Sequence, residues 1–171
     1  QALINRLGFN NDGSEIINKR ISENLPSGFL GINVGPNKDT RNKKEDYYLC
    51  LSRLSSNAGY LTINISSPNT EGLRDFHDQR ELEKLLIGIN QIKRENKISK
   101  PLVVKLSPDI SSSDIGKIIE LIIKYKIDGI IVSNTTDSNR ESLTDEQKKE
   151  KGGLSGQPLK HLSTNLIKKF Y

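Results

Sequence analysis

Four short apolar runs, separated by segments with helical periodicity, constrain the fold of this chain more than any other feature of its sequence. The runs span residues 29–34, 60–65, 101–106 and 129–134 and recur at intervals of about 30 to 40 residues. Runs this short and this continuous are typical of strands that are buried on both faces of a sheet. Such strands need helices to cover them, so the intervening segments decide the fold class.

The intervening segments carry the periodicity of amphipathic helices. The stripe that follows the second strand is formed by Leu82, Leu85, Leu86, Ile89 and Ile92. Another helix is predicted after the third strand, where Ser111 and Asp114 resemble a capping box. Its predicted buried face is made of Ile115, Ile118, Ile119, Ile122 and Ile123. Residues 44–56 are predicted to be helical, residues 163–171 begin a further helix, and the polar residues 137–151 are predicted to form a flexible loop.

The order of strand, helix and strand at this spacing predicts an α/β fold. Right-handed crossover connections make the neighbouring strands parallel. Two architectures fit that order, a doubly wound sheet and a (β/α) barrel. A barrel needs eight strand–helix units and about 250 residues, and this chain of 171 residues supplies about half of the units.

Composition argues against several classes of function. The single cysteine, Cys50, allows no internal disulfide, and neither His77 nor His161 has the spacing of metal ligands. No apolar run reaches the ~18 to 20 residues of a membrane-spanning helix, so these residues are predicted to be soluble. The net charge of +5 comes from scattered lysines without interleaved aromatic residues, which favours a solvated surface over a nucleic-acid interface. We therefore expect neither a metal nor a nucleic-acid partner.

Polar side chains lie at or near the carboxyl end of every predicted strand. These residues are Asn33, Asn64, Lys105, and the pair Ser133 and Asn134. A buried strand avoids such groups, because an unpaired polar group in a core costs about 1–3 kcal/mol. Ligands of parallel α/β folds bind at the carboxyl ends of the strands. The pattern therefore predicts one shared pocket.

Three features near this pocket suggest what it binds. Lys105 needs an anion or an electron-rich acceptor, which a negatively charged reduced flavin would provide. Residues 66–70 form a polar loop, with Pro68 fixing its shape, that is either part of a substrate lid or a capped turn. Residues 152–156 contain three glycines, which lets backbone N–H groups approach a phosphate or a ring.

The motifs, taken together and in order, resemble those of class 2 dihydroorotate dehydrogenases. The resemblance spans the whole chain, and it is carried by residues 4–10, 31–35, 64–70, 104–109, 133–136 and 152–156. It implies an α/β fold in which the parallel strands are part of an FMN-binding (β/α)8 TIM barrel. It also implies that dihydroorotate is oxidised to orotate, with FMN as hydride acceptor and a membrane quinone, ubiquinone or menaquinone, as final electron acceptor.

The resemblance implies roles for individual residues. Ser67 takes the position of the catalytic base, where cytosolic class 1 enzymes carry cysteine, and it would remove a proton through a relay with Thr70 or water. The residues that would contact FMN are Asn33, Asn64, Lys105, Ser133, Ser155 and Gly156. The residues that would surround dihydroorotate are Asn5, Arg6, Leu7, Gly8, Phe9, Asn64, Asn69, Asn134 and Thr135.

The resemblance further implies that residues 1–171 are the central portion of a single FMN-binding barrel domain. Amino-terminal membrane-docking helices and carboxyl-terminal strands would lie outside this chain, so we expect it to be inactive alone. The expected location is peripheral, at the cytoplasmic face of a bacterial inner membrane or at the mitochondrial inner membrane.

Two other interpretations of the sequence make different demands. A dihydropyrimidine dehydrogenase or a dihydrouridine synthase is also an FMN barrel, but it needs a cysteine acid/base, and Cys50 lies in a predicted helix. A basic, non-catalytic binding module would bind nucleic acid with a steep salt dependence and without a flavin.

Overall fold

A four-stranded parallel sheet and a two-stranded antiparallel ribbon make up the β structure of the computed structural model, which describes residues 1–171. The strands are β1 (Ala2–Asn5), β2 (Gly31–Val34), β3 (Tyr60–Asn64), β4 (Leu102–Leu106), β5 (Gly129–Val132) and β6 (Gly153–Gly156). The helices are α1 (Ser14–Glu23), α2 (Lys43–Leu54), α3 (Gln79–Glu95), α4 (Ser112–Lys124) and α5 (Gln157–Phe170). Short 3-10 turns span Ser55–Asn57, Leu73–His77 and Glu146–Lys149.

The parallel sheet has the order β2-β3-β4-β5, which is also the order of these strands along the chain. Each strand pairs in parallel with the next, and each connection carries a helix. The four predicted strands and their parallel pairing are therefore confirmed. The first strand is shorter than predicted, since Phe29 is 79% exposed and stacks on Tyr60 before β2 begins.

One apolar core lies between this sheet and the helices that cover it. It contains 23 buried residues, with Ile63 and Leu102 from the sheet, Tyr47 and Leu51 from α2, and Leu86 from α3. Burial of each large apolar side chain contributes about 1.5–3 kcal/mol. The core therefore fixes the positions of the strands and, with them, the polar residues at the strand ends.

Two helix predictions need correction. Ile123 was predicted to be buried on α4 but is 71% exposed, whereas Leu121 is 3% exposed. On a helical wheel these two residues lie on opposite flanks of the stripe that Ile118 and Ile122 share, and α4 packs its Leu121 flank inward. The last helix begins at Gln157 rather than at residue 163, because Pro158 suits the first turn of a helix.

The ribbon formed by β1 and β6 was not predicted. Residues 153–156, which belong to the glycine-rich segment 152–156, pair as a strand with residues 2–5. Gly153 has no room for a side chain, because a Cβ there would overlap Thr135. Backbone hydrogen bonds between Thr136 and Leu154, one of them 3.1 Å long, join the ribbon to the loop that follows β5. The ribbon therefore lies beside the carboxyl end of the parallel sheet.

Candidate active site

A cavity of about 220 Å³ lies at the carboxyl ends of the parallel strands. Its wall is polar, with Phe9 as the one large apolar side chain. The lining residues are Asn5, Gly8, Phe9, Asn33, Asn64, Ser67, Pro68, Asn69, Lys105, Asn134 and Thr135. Such a wall can recognise a small polar ring through several hydrogen bonds at once.

The polar residues at the strand ends meet in this cavity. Asn33, Asn64, Lys105 and Asn134 come from four consecutive strands or from the residues directly after them. Asn64 and Lys105 are also direct neighbours in the register of β3 and β4. The prediction that these four residues share one pocket is therefore confirmed, whereas their contacts with FMN or dihydroorotate stay predictions.

Ser66 joins two of the cavity amides. Its hydroxyl donates to Asn64 Oδ1 over 2.7 Å and accepts from Asn134 Nδ2 over 2.9 Å. Asn134 Oδ1 in turn accepts from the backbone N–H of Thr135 over 2.8 Å. These hydrogen bonds fix the orientation of each side-chain amide. If the amide oxygen and nitrogen exchanged places, the NH₂ group would meet a backbone N–H donor.

Ser67 lies on the loop after β3 and is 8% exposed. Its Oγ accepts a hydrogen bond of 3.2 Å from the backbone N–H of Asn69, and no hydrogen bond joins it to Thr70. The hydroxyl proton therefore remains free to be donated elsewhere. The loop holds the Ser67 oxygen at the cavity wall through its own backbone.

Asn69 connects this loop to the ribbon. Its Nδ2 lies 3.1 Å from the backbone oxygen of Asn5 and 3.3 Å from Asn5 Oδ1. The Asn5 amide donates onward to the carbonyl of Gly153 over 3.4 Å. The residues after β1 thus reach the cavity through polar contacts rather than through the apolar core.

Lys105 dominates the electrostatics of the cavity. It is half-buried, and this burial lowers the pKa of its ammonium from the ordinary value. The chain supplies no salt-bridge partner for it, although eight other basic residues have one. A cation in this position favours an anionic or electron-rich ligand.

Five residues predicted to be in the site lie outside the cavity lining. Arg6 pairs with Glu150 over 2.6 Å, and Leu7 is 70% exposed. Ser133 Oγ donates to the Asn134 carbonyl, and Ser155 Oγ donates to the Leu3 carbonyl. Gly156 is exposed at the end of β6.

A larger groove of about 1030 Å³ runs along the ribbon. Arg6 and residues of the loop 137–151 line it, but none of the polar residues at the strand ends does. We take the smaller cavity as the candidate site, because the strand-end groups face it.

The sequence did not predict two residues, Tyr47 and Arg74, that lie outside the cavity lining and bond to the backbone of the segments that form it. Tyr47 is fully buried and donates a hydrogen bond of 2.7 Å to the Asn64 carbonyl, and this burial raises the pKa of its hydroxyl. Arg74 contacts loops after three different strands. Tyr47 was predicted only as a helix residue, and no periodicity marks Arg74.

Cys50 lies on α2 and is not part of the cavity wall, and burial raises the pKa of its thiol.

Known proteins resemble the chain over its whole length. The family model "Dihydroorotate dehydrogenase" matches residues 1–171. "Dihydroorotate dehydrogenase (quinone)" of Vibrio atlanticus is 41% identical over 179 aligned residues, covering 100% of this chain and 53% of the relative. The protein of the same name from Bartonella tribocorum is 40% identical, covering 99% of this chain and 48% of the relative.

Solved structures agree with this result. The crystal structure of dihydroorotate dehydrogenase from Eimeria tenella in complex with ferulenol has a TM-score of 0.92 and 34% sequence identity. The match covers 99% of this chain and 52% of the Eimeria tenella chain. The parallel sheet is therefore part of a TIM barrel, and the chain spans about half the length of the curated relatives it matches. From its motifs, its fold and these matches, the chain belongs to the dihydroorotate dehydrogenase family.

Proposed function

We propose that the protein carrying this chain oxidises dihydroorotate to orotate, with FMN as hydride acceptor and a membrane quinone as final electron acceptor. The observation that carries the proposal is the convergence of Asn64, Ser67, Lys105 and Asn134 on one polar cavity. The names of the relatives support the same reaction.

The residues present fit FMN. Lys105 offers an ammonium without an internal partner, and Asn33 and Asn64 offer amides on the same wall. Typical ligand cavities measure roughly 300–1,000 Å³, so the cavity of about 220 Å³ is one part of a larger site. Ser133, Ser155 and Gly156, which lie beyond its lining, are assigned to the more distant parts of the cofactor. Bound FMN would supply the two-electron acceptor for the reaction.

The remaining amides suit a pyrimidine. Asn69, Asn134 and Thr135 present donors and acceptors side by side, as do the edges of dihydroorotate. Asn5, Gly8 and Phe9 close the cavity from the ribbon side. Arg6 and Leu7 lie between Asn5 and Gly8 and complete the proposed substrate loop.

Ser67 is the proposed base that removes a proton from ring carbon C5. A serine hydroxyl is a weak base at neutral pH, so it must pass the proton on through a hydrogen-bonded relay. Because no hydrogen bond joins Ser67 to Thr70, a water relay fits the geometry better. Lys105 stabilises the negative charge that builds up near it as the substrate is oxidised.

The two edge strands of the parallel sheet are unpaired on their outer sides, as expected for part of a barrel. Strands β2 and β5 each have a parallel neighbour on one side only, and a closed barrel pairs both sides of every strand. These open edges support the proposal that residues 1–171 are the central portion of one FMN-binding barrel domain, and we expect them to be inactive without the remaining strands. No helix here has the length and hydropathy to cross a bilayer.

The proposed reduction of ubiquinone or menaquinone requires the whole protein to reach a membrane. The proposed location is peripheral, on the cytoplasmic face of a bacterial inner membrane or on the mitochondrial inner membrane. Contact with the membrane is assigned to a region outside these residues, and nucleic acid has no part in the proposal.

Anaerobic mixing of the FMN-loaded protein with dihydroorotate tests the proposal. Bleaching of the flavin absorbance is expected, and its absence would refute the assigned reaction. Ser67→Ala is expected to slow the bleaching by about 10²–10⁴-fold, the range of general base catalysis, with unchanged FMN content. Ser99→Ala, an exposed serine without a side-chain hydrogen bond, serves as the matched control. Equal rates in the two variants would remove Ser67 from the mechanism.

A further inference from the structure

We propose that Arg74 is a positioning residue, which sets the distance between the loop that carries Ser67 and the loop that carries Asn134. This inference rests on the proposed function. Arg74 lies in the 3-10 turn Leu73–His77, outside the cavity lining.

The Arg74 guanidinium bridges the two loops through their backbones. Its Nε lies 3.4 Å from the carbonyl oxygen of Ser66, and its Nη2 lies 3.4 Å from the carbonyl oxygen of Thr135. Ser66 directly precedes Ser67, and Thr135 directly follows Asn134. A shift of the guanidinium is therefore transmitted to Ser67 through one peptide unit and to Asn134 through the backbone of Thr135.

The same two loops are also joined by the Ser66 hydroxyl, which bonds to the side chains of Asn64 and Asn134. Ser66 is therefore held twice. Its backbone carbonyl accepts from the Arg74 guanidinium, and its side-chain hydroxyl bonds to the two asparagines. With both contacts in place, neither loop can move away from the other alone. The spacing between the proposed base and the substrate amides is then set by a rigid unit.

Two carboxylates hold the guanidinium in its orientation. Asp109, on the loop after β4, lies 3.1 Å from Arg74 Nη2, and its side chain is 17% exposed. Asp137, after β5, lies 2.9 Å from Arg74 Nη1. Burial opposes the ionisation of Asp137, but the bonds to Arg74 outweigh it and lower the pKa of this carboxyl. Thr136 Oγ1 also donates to Asp109, so the acceptor is itself fixed.

The geometry requires arginine rather than a cation in general. A planar guanidinium can direct separate N–H groups at two carboxylates and two carbonyls, whereas an ammonium has three donors around one nitrogen. A lysine at position 74 keeps the charge between Asp109 and Asp137 but loses carbonyl contacts. Charge and positioning can therefore be separated by experiment.

The experiment compares Arg74→Gln and Arg74→Lys with Arg80→Gln in the FMN-loaded protein. Arg80 is exposed and forms no salt bridge, so its variant is the matched control. Anaerobic stopped-flow gives the rate of flavin reduction by dihydroorotate, and the change in flavin absorbance on titration with orotate gives its Kd. Flavin content, thermal midpoint and the rate of reoxidation by a soluble quinone are recorded for each variant.

A displacement of about 1 Å at a reacting group can cost about 10²-fold in rate. We expect Arg74→Gln to slow flavin reduction by about 30- to 100-fold and Arg74→Lys by about 10-fold. Orotate should bind more weakly in both, while reoxidation by the quinone stays unchanged. A purely structural role would instead lower the flavin content and both half-reactions together, which overturns the inference.

Arg74→Lys keeps the inference testable if Arg74→Gln does not fold. A wild-type rate in Arg74→Lys shows that charge alone suffices and refutes the positioning role. A failure of the proposed function can be told apart from a failure of this inference. In that case dihydroorotate would not reduce the flavin even in the wild-type protein.

Discussion

The parallel sheet and the antiparallel ribbon both contribute residues to the cavity, but different forces hold them in place. In β3, residues 61–64 are all buried, whereas β1 has no buried residue and its Leu3 is 65% exposed. The sheet is fixed by apolar burial beneath its helices. The ribbon is held by hydrogen bonds from Asn69 and Thr136, and Leu154 on β6 is its only buried apolar side chain. Mutations in the core should therefore unfold the whole molecule, and mutations in the polar contacts should release the ribbon alone.

The core under the sheet offers the largest expected effect. Leu86 is fully buried on α3, while its neighbour Ile87 is 51% exposed. Leu86→Ala is expected to lower the free energy of unfolding by about 2–5 kcal/mol, because it removes buried contacts and leaves a cavity. Ile87→Ala should change it by about 0.5 kcal/mol or less. Denaturant unfolding measures both, and equal losses would contradict this view of the core.

His77, which contacts the carboxyl end of β4, makes the stability of the fold depend on pH. Its Nε2 accepts a long hydrogen bond of 3.5 Å from the Ser107 N–H, at the end of β4. Burial first, and then the charge of Arg74, lowers its pKa from 6.5 to about 4, against an opposing effect of Asp114. The unfolded chain therefore binds this proton more readily than the folded one.

The contribution of neutral His77 to stability is complete above pH 6.5 and is lost as the pH falls toward 4. The loss amounts to about 3 kcal/mol at most. Unfolding curves between these pH values should show this slope in the wild type and in a variant of the exposed histidine, His161→Gln. The slope should be reduced in His77→Gln, and a slope that persists there belongs to other groups.

Tyr47 tests how the core positions a cavity residue. Tyr47→Phe removes the hydrogen bond to the Asn64 carbonyl without changing the packing volume. We expect a loss of about 1–2 kcal/mol in unfolding free energy, together with weaker orotate binding, because β3 carries Asn64 into the cavity. Tyr48→Phe is the control, since the Tyr48 hydroxyl makes no hydrogen bond within the chain. Similar losses in both variants would show that the hydroxyl of Tyr47 has no special role.

The same division explains how much of the molecule could be predicted from its sequence. Strands such as residues 60–64 and the helix stripe around Leu86 were predictable, because apolar periodicity reports burial directly. The meeting of Asn64 and Lys105 followed from the parallel order of the strands. The ribbon could not be predicted, since β1 has four residues and Asn5 finds its partner Gly153 at a separation of 148 positions. The reach of Arg74 likewise depends on packing that no local pattern encodes.

Asn69 tests the other half of the comparison, with the smallest expected effect. Asn69→Ala removes the side-chain contacts to Asn5, and a hydrogen bond of this kind contributes about 1 kcal/mol. We expect the β1 amides to exchange with solvent about five-fold faster, which corresponds to that energy, while the β3 amides keep their protection. Asn10→Ala, at an exposed asparagine whose side chain makes no hydrogen bond, is the matched control.

Hydrogen exchange read residue by residue decides between two pictures of the ribbon. Faster exchange confined to β1 and β6 means that the ribbon opens on its own, so its side of the cavity can yield to a ligand while the sheet side stays fixed. Equal acceleration in β1 and β3 would mean that ribbon and sheet unfold as one cooperative unit. In that case the Asn69 contact stabilises the sheet as well, and the contrast between the two regions fails.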